Sequence, residues 1–221
     1  MKINWFQKKE KKPLPGYFLE YQESILNTKK LPIEETRFVV YDTETTGFFK
    51  KKDRVLSIGA VSVIDNIINV NDTFEVYIKQ KVFKAETVPI HGILKEGEIE
   101  KITELAALKL FLKYIGNAVL VGHHINFDIE MINEILKRNK LPQLVNKTID
   151  TGYLYKKSKH SIYQSEEKHY SLDNLCDELN ISKSDRHTAS GDAYITAIAF
   201  LKILSRLNKN KDLKFRDLLM D

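Results

Sequence analysis

The sequence predicts an α/β fold, a mixed β-sheet flanked by helices, and three observations carry that expectation. A block of three β-rich segments comes first, strands then alternate with segments of helical spacing, and a long helix with one apolar face closes the run. Strands met first in a block and then in alternation exclude both a helical bundle and a β-sandwich.

Each element has its own signature. Phe38-Val39-Val40-Tyr41 is a short apolar run of the buried-strand type. Arg54 to Ile64 and Ile67 to Ile78 are β-rich, and Asp65-Asn66 between them is a turn signal that joins them as a hairpin. Ile102, Leu105, Leu108 and Leu112 space a helix over Glu98 to Ile115, and Ala118 to Val121 is a fourth strand ending at Gly122. A helix follows from Phe127 to Asn139, stopped by Leu141-Pro142, and a last strand at Thr148 to Asp150. Ser171 caps a helix from Leu172 to Leu179, and Ala193, Ala197, Phe200, Leu204 and Leu207 share one face of a helix from Ala189 to Leu207. The polar segment from Ser158 to Tyr170 is expected to be a mobile loop. Residues 1–36 read as a basic extension, packed on or tethered to the main domain, with an amphipathic piece from Tyr17 to Leu26. Trp5 and Phe6 would cover a groove of that domain, which occupies 37–207 and leaves 208–221 as a short tail.

Composition narrows the class of function. A chain of 221 residues, 43% of them hydrophobic, builds one sizeable domain with an appendage. Lysine and arginine outnumber the acids 35 to 30, which fits a polyanionic partner but falls short of a protein that coats DNA. The single cysteine, Cys176, cannot form an internal disulfide and reads as a half-buried helix residue. The basic N-terminus has no apolar core behind it, so it is not a secretory signal. No apolar stretch approaches the roughly 20 residues of a membrane helix. A soluble cytoplasmic protein without a membrane partner is expected.

Four carboxylates and a histidine carry the chemistry. Side chains alternate along a strand, so Asp42 and Glu44 of Val39-Val40-Tyr41-Asp42-Thr43-Glu44-Thr45-Thr46-Gly47 leave one face while Thr43 points away. Asp128 follows the fourth strand at the mouth of a helix, and Asp192 lies in the first turn of the last helix, where its charge suits the helix dipole. Carboxylates crowded in this way repel one another and make physical sense with hard divalent cations between them. Two Mg²⁺ or Mn²⁺ ions about 4 Å apart are the usual device for in-line attack on a phosphodiester. His187, shortly before Asp192, is placed to accept the proton of the attacking water. Asp-x-Glu alone occurs often by chance; the specific signal is three segments in order, each in its expected element. His123-His124 reads as ordinary polar residues around the site, because adjacent side chains diverge. A run such as Lys50-Lys51-Lys52 is usually solvated surface, but its place directly after the Asp-x-Glu strand favours contact with phosphates.

These segments resemble the motifs of the DEDD-superfamily 3′-to-5′ exonucleases of the histidine-bearing branch, the group that includes the proofreading epsilon subunit of bacterial DNA polymerase III. The likeness covers about residues 37–207 and rests on Asp42-x-Glu44-Thr45-Thr46-Gly47, on Phe127-Asp128 after Gly122-His123, and on His187 followed by Asp192-Ala193. It implies a ribonuclease H-like sheet with an antiparallel second strand, and a catalytic set of Asp42, Glu44, Asp128, His187 and Asp192. Ile90-His91-Gly92-Ile93 resembles the family segment that contacts the 3′-terminal nucleotide, with Glu86 as its companion. By the same likeness Thr45, Thr46, His91 and Phe127 line the terminal-nucleotide pocket. His124 stands where an asparagine is common, a polar replacement. The epsilon subunit's long polymerase-binding tail has no counterpart before Asp221, which argues against dedicated proofreading in that complex, and the basic extension lies outside the shared core, where it would serve a different docking or packing role. The expected partner is a polymerase or a repair assembly.

The expected function is metal-dependent removal of nucleoside monophosphates from a free 3′ end, mainly of single-stranded DNA. The same chemistry on RNA is the alternative, because backbone-directed sites do not show sugar preference in sequence. An aspartyl phosphotransferase starts from Asp-x-Asp and fits worse with Glu44. A non-catalytic nucleic-acid-binding module on the same fold is the reading from another class, and the complete set of acids and histidine opposes it.

Overall fold

The computed structural model describes residues 13–159, 170–209 and 212–219. Trp5, Phe6 and most of the expected mobile loop lie outside them. Five strands, β1 (Phe38–Thr45), β2 (Val55–Ile64), β3 (Ile67–Tyr77), β4 (Val119–Gly122) and β5 (Thr148–Asp150), form one sheet in the order β3-β2-β1-β4-β5. β2 is antiparallel to both of its neighbours, whereas β4 runs parallel to β1 and β5 parallel to β4. This is the mixed, ribonuclease H-like sheet expected. Asp65 and Asn66 both take positive φ, 51° and 57°, the hairpin geometry that matches strand twist and that these residue types tolerate.

Seven α-helices lie among the described residues: α1 (Gly16–Leu26), α2 (Val88–His91), α3 (Glu104–Ile115), α4 (Asn126–Arg138), α5 (Thr151–Ser158), α6 (Leu172–Leu179) and α7 (Ala189–Leu207). Strand alternation divides the core between the two faces of the sheet. Phe38, Val40, Val61, Val63, Val119 and Val121 pack with α5, α6 and α7. Val39, Tyr41, Ile58, Ala60 and Leu120 pack with α1, α3 and α4. Residues of α1 belong to that second core: Phe18 and Tyr21 are buried, and the Tyr21 hydroxyl donates to Asn146 Oδ1 at 2.5 Å. Leu218, in a 3₁₀ turn over Phe215–Leu218, is buried against the α7 side.

The expected elements recur with corrections. β1 carries Asp42 and Glu44 as expected, in the ladder opposite Gly59 and Ser57, and ends at Thr45. α3 starts at Glu104 instead of Glu98: Ile102 bridges to Ile78, and the Thr103 hydroxyl caps the helix through Ala106 N–H at 3.2 Å. α5 is an element the periodicity did not signal; Asp150 caps it by accepting from Tyr153 N–H at 2.9 Å. Cys176 is fully buried, not half-buried. No helix among the described residues is long and apolar enough to cross a membrane.

Candidate active site

β1 and the start of α7 build the site together. Asp42 and Glu44 leave β1 on the face that α7 covers, the same face as Phe38 and Val40. Asp192 enters from the first turn of α7, whose N-cap Thr188 accepts from Gly191 N–H at 3.1 Å. The helix reaches the sheet at Gly59, the partner of Asp42 across β1 and β2. A Cβ at Gly59 would stand 2.1 Å from Ser190 N, so only glycine admits this approach. One oxygen each from Asp42, Glu44 and Asp192 then lies within 4.8 Å of the others.

Asp128 comes from the opposite side of the sheet. It sits in the first turn of α4, is 4% exposed, and accepts through Oδ1 from Thr43 N–H at 3.1 Å and from the Thr43 hydroxyl at 2.6 Å. Asp128 is thus outside the group of three within 4.8 Å, but it is the first of the carboxylates whose charge acts on Asp42. Asp42 links the two halves of the constellation.

The electrostatics record the crowding. Burial, then the charges of Asp128, Asp192 and Glu44, raise Asp42 well above the usual carboxylate range, against the pull of Arg186. Burial and the nearby Asp192 raise Glu44 to about 7. Burial raises Asp128 to about 7 although both Thr43 bonds oppose it. Arg186, which none of the sequence motifs marks, is the compensating cation. Its guanidinium lies 2.5 Å from Asp192 Oδ2 and is held from behind by Asp173 Oδ1 at 2.8 Å. Its position immediately before His187 was the available signal.

His187 occupies the exposed turn leading into α7, with φ of 69°, and its backbone N–H meets Asp192 Oδ1 at 3.3 Å. Thr45 ends β1 and Thr46 follows it; Thr46 is buried, and Thr45 Oγ1 donates to Gly47 O at 3.0 Å. Phe127 is half-buried beneath Phe48, ring centroids 5.9 Å apart, and Phe48 is 83% exposed. An aromatic that open, packed on the chain neighbour of Asp128, is a second feature that no sequence motif marks. Glu86 is exposed in the 3₁₀ turn Ala85–Thr87, and His91 is buried with both ring nitrogens engaged by Thr87 Oγ1 and Ile93 N–H, so neither joins the carboxylates. His123 has the ordinary polar role expected: its ring spans Thr151 Oγ1 at 3.0 Å and the Tyr170 carbonyl at 2.7 Å.

Known proteins resemble this chain in sequence and in fold. The model of the RNase T exonuclease family matches residues 39–200, a span that holds all four acids and His187. The chain is 30% identical over 174 residues to the DNA polymerase III subunit epsilon of Aquifex aeolicus, covering 77% of this chain and 81% of that protein. It is 31% identical over 198 residues to the PolC-type DNA polymerase III of Caldanaerobacter subterraneus subsp. tengcongensis, covering 89% of this chain and 14% of that protein. Six of the curated relatives it matches are far longer, and the chain spans only 11–25% of their length. In fold it is similar to E. coli exonuclease I in complex with a dT13 oligonucleotide, with a TM-score of 0.68 at 20% identity over 80% of this chain and 43% of that one. The acids on β1, α4 and α7 therefore sit within a family match covering most of the chain, and the protein belongs to the RNase T exonuclease family, of the DEDD type that its three acidic segments resemble.

Proposed function

We propose that this protein is a metal-dependent 3′-to-5′ exonuclease that releases nucleoside monophosphates from the 3′ end of DNA, mainly single-stranded, with two Mg²⁺ or Mn²⁺ ions and His187 as general base. The observation that carries the reading is the convergence of Asp42, Glu44 and Asp192 within 4.8 Å. This donor set fits a divalent cation: the oxygens are hard ligands, and the raised carboxyl pKa values express burial and, after it, a mutual repulsion that a bound cation would relieve. Asp42, Glu44 and Asp192 would hold one ion, and Asp42 with Asp128 the other. Bound there, such ions ease deprotonation of the attacking water and offset charge on the phosphate and the leaving oxygen.

The chain's own residues do the rest. His187, open to solvent on its turn, takes the proton of the attacking water. The water oxygen bonds to phosphorus and the 3′-oxygen of the penultimate nucleotide leaves, so the freed nucleotide keeps its phosphate. Thr45, Thr46, Glu86, His91 and Phe127 are assigned to the terminal nucleotide. Phe48 beside Phe127 adds a face on which a base can stack, and the exposed Lys51 and Lys52 add attraction for phosphate. Similarity to PolC-type polymerases and to an epsilon subunit supports a polymerase as partner; a repair assembly is the other partner this reading allows, and the cytoplasm is the compartment it assigns.

A 5′-labelled single strand incubated with the protein and Mg²⁺ should shorten stepwise and release mononucleotides. EDTA should stop the reaction, as should Asp42→Ala or Asp192→Ala in a folded protein, and a 3′-phosphorylated or circular strand should resist. Efficient cutting of the circle would make the enzyme an endonuclease. Matched RNA oligomers decide sugar preference, and binding of DNA without turnover would leave only a binding module.

A further inference from the structure

Past the end of β1, an ion pair with a buried acid ties the loop between β1 and β2 to the segment around α2. Asp53 is 0% exposed, and Lys84 Nζ lies 2.6 Å from its Oδ1. The same carboxylate accepts from the Thr46 hydroxyl at 2.9 Å and from Phe49 N–H at 2.9 Å. Arg54 N–H returns to Thr46 Oγ1 at 3.0 Å, so the whole turn is pinned from inside by one side chain. Burial pushes the Asp53 carboxyl up, but Lys84, Phe49 N–H and Thr46 outweigh it and hold it below the usual range.

On the other side, the Lys84 carbonyl accepts from the Thr87 hydroxyl at 3.0 Å, and Thr87 Oγ1 is 3.0 Å from His91 Nε2. Ile93 N–H donates to His91 Nδ1 at 3.0 Å, which leaves the ring proton on Nε2 and makes His91 the donor to Thr87. Gly47 marks how tightly the two sides meet. With φ of +147°, it lies so close that a Cβ would stand 2.7 Å from Asp53 Oδ2 and 2.9 Å from Lys84 Nζ.

Desolvation of Asp53 offsets much of the attraction in this half-buried pair, whose Lys84 side chain stays 32% exposed, so its use is to fix one arrangement over others more than to add stability. The two segments joined here bear Thr45, Thr46 and Phe48 on one side and Glu86 and His91 on the other. We propose that Asp53 and Lys84 are positioning residues that hold these two walls of the terminal-nucleotide pocket in register, and so set the affinity for the 3′ end without touching it. The inference rests on the exonuclease reading above.

The test is steady-state kinetics of Lys84→Met and Lys84→Arg on a short single-stranded DNA, with thermal melts of each. In Lys84→Met, KM should rise about tenfold, kcat at saturation should stay within about threefold, and the half-saturating Mg²⁺ should not move. Lys84→Arg, which keeps the charge over Asp53, should restore KM. If Lys84→Met does not fold, Lys84→Gln carries the same comparison. A wild type without nuclease activity refutes the proposed function and this inference with it. An active wild type whose KM is indifferent to loss of the Lys84 charge, or whose kcat alone falls, overturns the inference and leaves the function standing.

Discussion

Adding one methyl group at Gly59 would act on the carboxylate cluster without altering any carboxylate. The new Cβ would lie 2.1 Å from Ser190 N, 2.2 Å from Ala189 C and 2.5 Å from Ala189 O. All three are backbone atoms, so no rotamer change relieves the overlap. Ordinary contact begins at 3.4 Å, and against the 2.1 Å separation the first turn of α7 must retreat by about 1.3 Å. Asp192 sits in that turn and would retreat with it from Asp42 and Glu44. A misplacement of about 1 Å at a reacting centre lowers the rate about 10²-fold. Overpacking of this kind costs about 1–3 kcal/mol, which for a domain this size lowers Tm by about 2–4 °C per kcal/mol and leaves it folded. Gly59→Ala should therefore melt a few degrees early, lose about 10²-fold in kcat and need more Mg²⁺ for half-saturation. Mononucleotide release titrated with Mg²⁺, alongside melts in EDTA, reads all three. A folded Gly59→Ala protein with wild-type turnover and Mg²⁺ response would refute the link between the helix approach and the site.

Three further outcomes follow from the same geometry. In EDTA, stability should fall as pH rises: Glu44 titrates at about 7 in the fold against an ordinary 4.5, so the folded state holds the extra proton, and its stabilisation is complete below the lower value and gone above the higher one. That difference is worth on the order of 3 kcal/mol, Asp42 and Asp128 act in the same direction, and Glu44→Gln should flatten the slope in melts from pH 4 to 8 if the assignment holds. His187→Ala should lower turnover about 10²- to 10⁴-fold while the half-saturating Mg²⁺ stays put, and an unimpaired variant would move the base role elsewhere. The Tyr41 hydroxyl is buried with no hydrogen-bond partner among the described residues, so Tyr41→Phe should raise Tm by relieving about 1–3 kcal/mol of desolvation; a lower Tm would mean the hydroxyl is satisfied in solution.

What the sequence made legible was what periodicity and local chemistry encode. The hairpin at Asp65-Asn66, the caps at Ser171 and the faces of α7 depend on neighbours within a few residues, and they appear where expected. Glu98 to Thr103 carried helical spacing and is not helix, because Ile102 found a better partner in Ile78, more than twenty residues away in the chain. Gly59 sat in plain view inside a strand pattern, but which atoms would approach it depended on where α7 lands. Asp53 and Lys84 carried no signal at all, being a loop acid and a surface-type lysine until tertiary structure buried one against the other.

The alternation of β1 also explains why the fourth acid stands apart. Residues 42 and 44 face α7, and residue 43 between them necessarily faces α4. An acid delivered from α4 can reach the end of β1 only from that side, and there it meets Thr43 before it meets a carboxylate. Thr43 therefore serves two ends. Its two donors hold Asp128 at a fixed place beside Asp42, and they satisfy a charge that burial would otherwise leave bare. A larger or apolar residue at 43 would preserve the strand and its two ligands yet leave Asp128 without its anchor. The Asp-Thr-Glu tripeptide is thus a ligand pair with a clamp between them, and the strand that separates the acids is also what sets their spacing.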